Sequence, residues 1–417
     1  CSSFQKCSFL GKIYVTSYLK VSSMKGKNTR THEKRVIIVN DGLGPNLGDQ
    51  AILHSMLALF QTALPGTRFQ VFPNSDMRSV SEYIRFWRAL KRCDLLIFGG
   101  GQEIQDHASV AFLISGLLKL VLAKFARIPV VCYAIGVGPL GTKIGRFLTR
   151  KVLNRVFSIS VRDEGSKRLL SATGITRVPV EITADPGIIL EPKKPKLKME
   201  WPQGSGPKVI IAPRRWYLYK HYLLPLQLRS RVLPWQGGQQ FERIKQELAG
   251  AADDMIRQLG ARIVFCPMRC AGDSFNPGQD DDHVCQEILA LMSAKEQVRV
   301  WNQAGSPAEL KNALGEADVV VGMRMHSLIF ASMMQVPIVG ITILPKHTAF
   351  LLQVGQEAFG IDPDFCTRTA VTEAVSKAIH NRDYIASRLN QEQNRLYTLI
   401  KHDVDRIVML LEKMERG

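Results

Sequence analysis

At 417 residues, 46% apolar and 22% charged, the chain is long enough for two domains of ordinary size and too charged to be embedded in a membrane. A formal net charge of +18 predicts attraction to anions, whether nucleic acid, acidic glycan, sugar nucleotide or an anionic lipid surface. No RNP motif, helix-turn-helix, finger spacing or aromatic-studded basic stripe accompanies that charge, which argues against a nucleic-acid partner.

Residues 1–33 hold Ser, Thr and Lys with no acidic residue before Glu33, and read as a flexible basic segment; a transit-like leader or a lipid-facing arm would share that composition. From Lys34 the pattern repeats. Short β-branched runs at Arg35 to Val39, Arg68 to Phe72, Leu95 to Phe98, Pro129 to Ile135 and Ser158 to Val161 alternate with helix-period segments, the mark of a parallel α/β sheet over residues 34–190. The longest apolar stretch, Ser109 to Lys124, is interrupted by Lys119 and is expected to be a core-packing helix rather than a membrane span.

Lysine and proline crowd Glu191 to Lys208, so residues 191–207 are expected to link two domains. A second series of strands follows within 208–369, at Val209 to Ala212, Arg262 to Cys266, Val298 to Trp301, Asp318 to Val321 and Val336 to Ile341. Tyr217 to Gln240 has little periodicity and is expected to be a loop over the cleft or a membrane-touching insertion. The charged, amphipathic stretch 370–417 is expected to be a helical tail packing back across the first domain. The fold class is therefore α/β, with two Rossmann-like doubly wound domains facing a cleft at the carboxyl ends of their strands.

The eight cysteines are scattered, and Cys93, Cys132 and Cys266 fall in or beside predicted buried strands, which fits a reducing compartment rather than a disulfide framework. Cys266, Cys270, His283 and Cys285 match no common finger spacing, so no metal is expected.

Several strand ends carry chemistry. Asp41-Gly-Leu-Gly-Pro-Asn-Leu-Gly-Asp49 precedes a helix predicted from Gln50 to Leu64; its third glycine falls one residue late for a dinucleotide fingerprint, and Asp49 is placed either to cap the helix or to face a ligand. Phe98-Gly-Gly-Gly-Gln-Glu103 closes a buried strand with Gly99, Gly100 and Gly101, which admit a sugar ring or phosphate close to the backbone, with Gln102, Glu103 and Asp106 aimed at the opening. Ala134-Ile-Gly-Val-Gly-Pro-Leu140 repeats the device. Arg162 ends the next strand, where it binds an anion or pairs with Asp163 or with Asp185 of Ala184-Asp-Pro-Gly187. In the second half, Arg214 of Ala212-Pro-Arg-Arg-Trp216 is the guanidinium expected to enter the cleft. Gly322-Met-Arg-Met-His326-Ser327 then places Arg324 and His326 on one side of an extended lead-in to an apolar helix, with Lys346 after the following strand.

Taken in order, Asn46-Leu-Gly-Asp49, Gly99 to Gly101, Gly136-Val-Gly-Pro139, Ser160 to Asp163, Gly322 to Ser327 and Lys346 resemble the polysaccharide pyruvyl transferase family over about Arg35 to Gly355. The resemblance implies a fold similar to GT-B glycosyltransferases. It also implies transfer of a pyruvyl group from phosphoenolpyruvate, as co-substrate and with no cofactor, to sugar hydroxyls as a ketal during cell-surface polysaccharide synthesis. Under it, His326 and Arg324 are expected to be catalytic, and Arg214, Lys346, Ser327 and Arg162 to bind the donor. Asn46, Asp49, Gly100, Gly101, Glu103 and Asp106 are expected to hold a sugar or lipid-linked oligosaccharide acceptor. A cytoplasmic enzyme making peripheral contact with the inner membrane face is consistent with the charge. Two other readings remain open at this point: a GT-B glycosyltransferase using a nucleotide-sugar, and a non-catalytic module binding anionic glycan or membrane surface.

Overall fold

The computed structural model describes residues 34–74, 79–107, 109–216, 238–269 and 280–416. The basic segment 1–33, most of the Tyr217 to Gln240 stretch and Cys270 of the considered metal cluster lie outside these residues.

Six parallel strands form the first sheet: β1 (Arg35–Val39), β2 (Arg68–Phe72), β3 (Leu95–Gly99), β4 (Val130–Ile135), β5 (Ser158–Val161) and β6 (Val180–Ile182), in the order β2-β1-β3-β4-β5-β6. The helices α1 (Leu47–Ala63), α2 (Val80–Leu90), α3 (Val110–Phe125), α4 (Lys143–Leu153) and α5 (Glu164–Thr173) make the crossovers. The β1 to β2 step runs opposite to all later ones. With right-handed crossovers, α1 therefore covers one face and α2 to α5 the other. Nearly continuous apolar strands such as Leu-Leu-Ile-Phe-Gly in β3, buried at every position, follow from cover on both faces.

The second sheet repeats the plan with β7 (Lys208–Ala212), β8 (Arg262–Phe265), β9 (Val298–Val300), β10 (Val319–Gly322), β11 (Ile338–Ile341) and β12 (Gly360–Ile361), in the order β12-β11-β10-β7-β8-β9. Its helices among the described residues are α6 (Gly238–Leu259), α7 (Asp281–Leu291), α8 (Pro307–Leu314), α9 (Met325–Met333), α10 (Pro345–Gln353) and α11 (Arg368–His380). Strand order reverses between β1 and β3 in the first sheet and between β7 and β10 in the second, and such switch points leave an open crevice at the strands' carboxyl ends.

The last helix, α12 (Arg382–Arg416), belongs to both halves. Its Ile385, Leu389, Leu396 and Ile400 pack in the core of the second sheet, whereas Val404 and Ile407 pack with Val36, Ile38 and Phe60 of the first. Arg406 donates to Ser158 Oγ of β5 at 2.9 Å. The short strands β6 and β12, absent from the sequence-based expectation, sit at sheet edges, where three and two residues carry too little pattern to be read.

Candidate active site

A cavity of about 220 Å³ lies where the two switch points meet. Its lining includes Asn40, Asp41, Asn46, Asp49, Gly101, Gln102, Glu103 and Arg162 from the first sheet's strand ends, and Arg214, Arg269, Arg324, His326 and Lys346 from the second's. Amides and carboxylates thus gather on the first-domain wall, and cations dominate the second.

His326 is the second residue of α9, not part of an extended lead-in: β10 ends at Gly322, and Arg324 takes the extended N-cap position. Arg324 and His326 still reach one cavity, because the first turn of a helix entering from a strand end fans its side chains toward that end. The imidazole crosses to the first domain. Its Nε2 stands 3.5 Å from Asp185 Oδ1, and a Cβ on Gly48 would lie 2.2 Å from its Nδ1. Glycine in the first turn of α1 is what lets His326 in.

Asp185 is a hub. One oxygen accepts from Gly187 N–H and caps the short helix Pro186–Ile189, and the other accepts from Arg162 Nη1 at 2.9 Å. Burial alone would raise its pKa, but the neighbouring His326 imidazole, the Arg162 guanidinium and the Gly187 N–H bring it down to about 2. Asp185 therefore both caps a turn and holds Arg162, whereas Asp163, 3.9 Å away from that guanidinium, chiefly caps α5. Arg162 also donates to Gln102 Oε1 at 2.5 Å.

The cations of the second domain are held with equal care. Arg324 makes a two-pronged contact with Asp281, Nε to Oδ2 at 2.8 Å and Nη2 to Oδ1 at 2.6 Å, and Asp281 is fully buried. A fork gripped on two nitrogens is fixed in orientation. Arg214 lines the cavity, and its neighbour Arg215 pairs with Glu287 instead. Burial, and then crowding by Arg162, Arg214 and Arg324 against the weaker pull of Asp49, bring the Lys346 pKa down to about 7. That ammonium is poised to exchange a proton near neutral pH. Arg269 joins the set from the end of β8; its place just past an apolar strand was the available signal.

On the opposite wall, Asn46 rather than Asp49 caps α1: its Oδ1 accepts from Gly48 N–H, and its Nδ2 donates to Asp49 Oδ2 at 2.7 Å. The helix consequently starts at Leu47, three residues before the expected Gln50, and Asp49 faces the cavity from its first turn. Glu103 accepts from Asn74 Nδ2 at 2.5 Å; burial first, then Asp41 and Asp49, push its carboxyl well above the usual carboxylate range.

Three expected site residues stand outside the lining. Asp106 accepts from Gly141 N–H, Thr142 N–H and Thr142 Oγ1, tying down the turn that opens α4. Ser327 returns its hydroxyl to Arg324 O at 2.6 Å and is fully buried. Gly100, at φ +85°, faces Ile52 and Met56, so its missing Cβ serves packing, and Gly101 alone of the three glycines lines the cavity. Cys266 and Cys285 are buried in the second core.

The family model described as polysaccharide pyruvyl transferase matches residues 46–344. No curated protein matches the chain. Among solved structures, a trehalose-6-phosphate protein of E. coli bound with UDP-2-fluoro glucose is similar at 11% identity and a TM-score of 0.55, covering 91% of this chain and 99% of that one. A UDP-GlcNAc 2-epimerase from Neisseria meningitidis bound to UDP-GlcNAc is similar at 11% identity and a TM-score of 0.52, covering 91% and 100%. Sucrose-phosphate synthase from Thermosynechococcus elongatus is similar at 10% identity and 0.51, covering 92% and 98%. At such identities the likeness is one of fold, two Rossmann-like domains of the GT-B kind.

Proposed function

Because the chain belongs to the polysaccharide pyruvyl transferase family, we propose that it moves a pyruvyl group from phosphoenolpyruvate to two hydroxyls of a sugar, forming a ketal and releasing phosphate. The observation that carries this reading is the division of one small cavity into a cationic wall with an imidazole and a wall of carboxylates and amides.

Phosphoenolpyruvate sets a phosphate and a carboxylate on three carbons, and so calls for several fixed cations close together. Arg214, Arg269 and Arg324, which line the cavity together, suit that need. Arrival of a dianion beside Lys346 raises its pKa again, so the lysine takes up a proton and meets the phosphate charged.

The chemistry requires a proton at the methylene carbon, attack by one hydroxyl oxygen on C2, loss of phosphate from C2, and attack by the second oxygen. Of the two protons that the hydroxyls give up, one balances the new methyl group and the other leaves with phosphate. His326 supplies and regains the proton, and the Asp185 carboxylate stabilises its protonated ring. Asn46, Asp49 and Glu103 receive the acceptor's hydroxyls on the facing wall, where burial and the neighbouring Asp41 and Asp49 push the Glu103 carboxyl toward its proton-bound form.

The volume favours a compact donor over a nucleotide-sugar, and among the described residues the second-domain lining offers no carboxylate for a ribose. Incubation with phosphoenolpyruvate and a panel of sugars, reading phosphate release and the ketal methyl resonance together, tests the proposal. Equal yields of the two are expected, with loss of both in His326→Ala and Arg214→Ala. Consumption of a nucleotide-sugar instead, or near-normal turnover in those variants shown to be folded, overturns it.

A further inference from the structure

We infer that the outer face of the first domain's helical layer, formed by α2, α3 and α4, docks on an anionic lipid bilayer. These three helices lie side by side because the crossovers after β2, β3 and β4 all run in one direction. Their inward sides fill the core with Phe86, Leu113, Leu117 and Leu153. The outward sides of such helices ordinarily carry charge. Here α3 turns out Ile114, Leu118 and Phe125, at helical spacing, and Phe125 is 75% exposed. On either side, α2 shows Val80, 77% exposed, and Ile84, while α4 shows Ile144 and Phe147, the latter 55% exposed.

Around this apolar face basic residues predominate, Glu82 being the acid on the three helices. Helix α4 carries Lys143, Arg146, Arg150 and Lys151 with no acidic residue, and the Lys151 ammonium stands 5.5 Å over the Phe147 ring. Helix α2 adds Arg85 and Arg88, followed by Lys91 and Arg92. The nearby acids are spent elsewhere: Glu82 closes the α2 capping box, Asp94 accepts from Arg35 N–H, and Glu103 and Asp106 are buried. Apolar side chains rimmed by lysine and arginine are the chemistry of a surface that lies on anionic lipid. A second copy of this chain, with its own charge of +18, would meet the basic rim with repulsion. Insertion across the bilayer is not at issue, since no helix among the described residues is long and apolar enough to cross a membrane.

The placement has a consequence for the cleft. Because the helices run antiparallel to the strands, Val80, Ile84, Ile114, Ile144 and Phe147 lie in the first halves of their helices, on the side of the loop that carries Gly101 to Glu103, with Leu118 at the middle of α3 and Phe125 at its end. Docking by this face would set the acceptor side of the cavity next to the bilayer, where a lipid-carried sugar is presented. The binding claim itself stands apart from the reaction, so it is tested without substrate.

The full chain is sedimented with vesicles of phosphatidylcholine alone or mixed with phosphatidylglycerol. Binding to the mixed vesicles only, weakened by added salt, is expected. The double variant Leu118→Ser/Phe147→Ser should lower the partition coefficient by about tenfold or more, and Lys143→Gln/Arg146→Gln by about tenfold. Both should keep the wild-type melting temperature, since all four side chains are exposed. Failure of the wild type to bind, or equal binding by both double variants, overturns the inference. So does a wild-type dimer that Leu118→Ser/Phe147→Ser dissociates while vesicle binding is unchanged.

Discussion

Gly48 lies in the first turn of α1, and a methyl there would land 2.2 Å from His326 Nδ1 and 3.0 Å from its Cβ. Alanine is the better helix former by about 1 kcal/mol, so Gly48→Ala should leave the melting temperature within a few degrees of wild type. The displaced imidazole should nevertheless cost on the order of 100-fold in turnover. A variant that kept near-normal turnover would remove the need for His326 in its present place. Lys346 gives a second test, of sign. Its pKa falls from 10.5 unfolded to about 7 folded, so between those values the unfolded chain binds more protons and stability rises with pH. Below about pH 7 the folded protein bears the full cost of a desolvated cation beside Arg162, Arg214 and Arg324. Lys346→Met should therefore raise the melting temperature most below pH 7, and the gain should shrink as pH climbs toward 10.5. A gain independent of pH across that window would mean that the lysine is not desolvated in the folded state.

Most elements were legible because a strand buried on both faces announces itself as an apolar run, and a strand end carrying Gly, Arg or His announces a loop with work to do. Both halves of the cavity were read that way, through Asn46, Asp49, Gly101, Glu103 and Arg162 on one side and Arg214, Arg324, His326 and Lys346 on the other. What the pattern does not carry is pairing between distant positions. Arg324 is gripped by Asp281, 43 residues away, and nothing local in Asp280-Asp281-Asp282 says that the middle carboxylate turns inward. The capping preference of Asn46 over Asp49, likewise, is a matter of which side chain reaches Gly48 N–H. The Asp281–Arg324 pair joins the start of α7 to the start of α9 and is buried on both partners. Removing one partner leaves a bare buried charge, so Asp281→Ala should lose about 3–5 kcal/mol in denaturant unfolding. The apolar double replacement Asp281→Leu/Arg324→Met should recover most of that stability without restoring turnover. A loss below about 1 kcal/mol in the single variant would show the pair to be dispensable.

At the scale of the whole molecule, two sheets with separate cores share one crevice, and the question is what keeps the crevice walls in register. The sheets meet at the switch-point loops and through Ala51 of α1 and Ile188, which pack into the second core, and a strap adds to these contacts. Helix α12 supplies it: 35 residues long, it places Leu389, Leu396 and Ile400 in the second core and Val404 and Ile407 in the first. A helix rigid over that length transmits loosening at one end to the other, so the two domains should melt as one cooperative unit. Val404→Ala/Ile407→Ala weakens the first-domain hold, leaving Arg406 on Ser158, while the second-domain contacts stay intact. Each truncation is expected to cost about 1–4 kcal/mol, and the pair should split the single calorimetric transition into two, with the first-domain core melting earlier. Turnover should fall before either core melts, because His326 reaches Asp185 and Gly48 only while the walls stay aligned. One shifted but undivided transition, with activity lost only at that transition, would mean that the switch-point contacts hold the domains together without the strap.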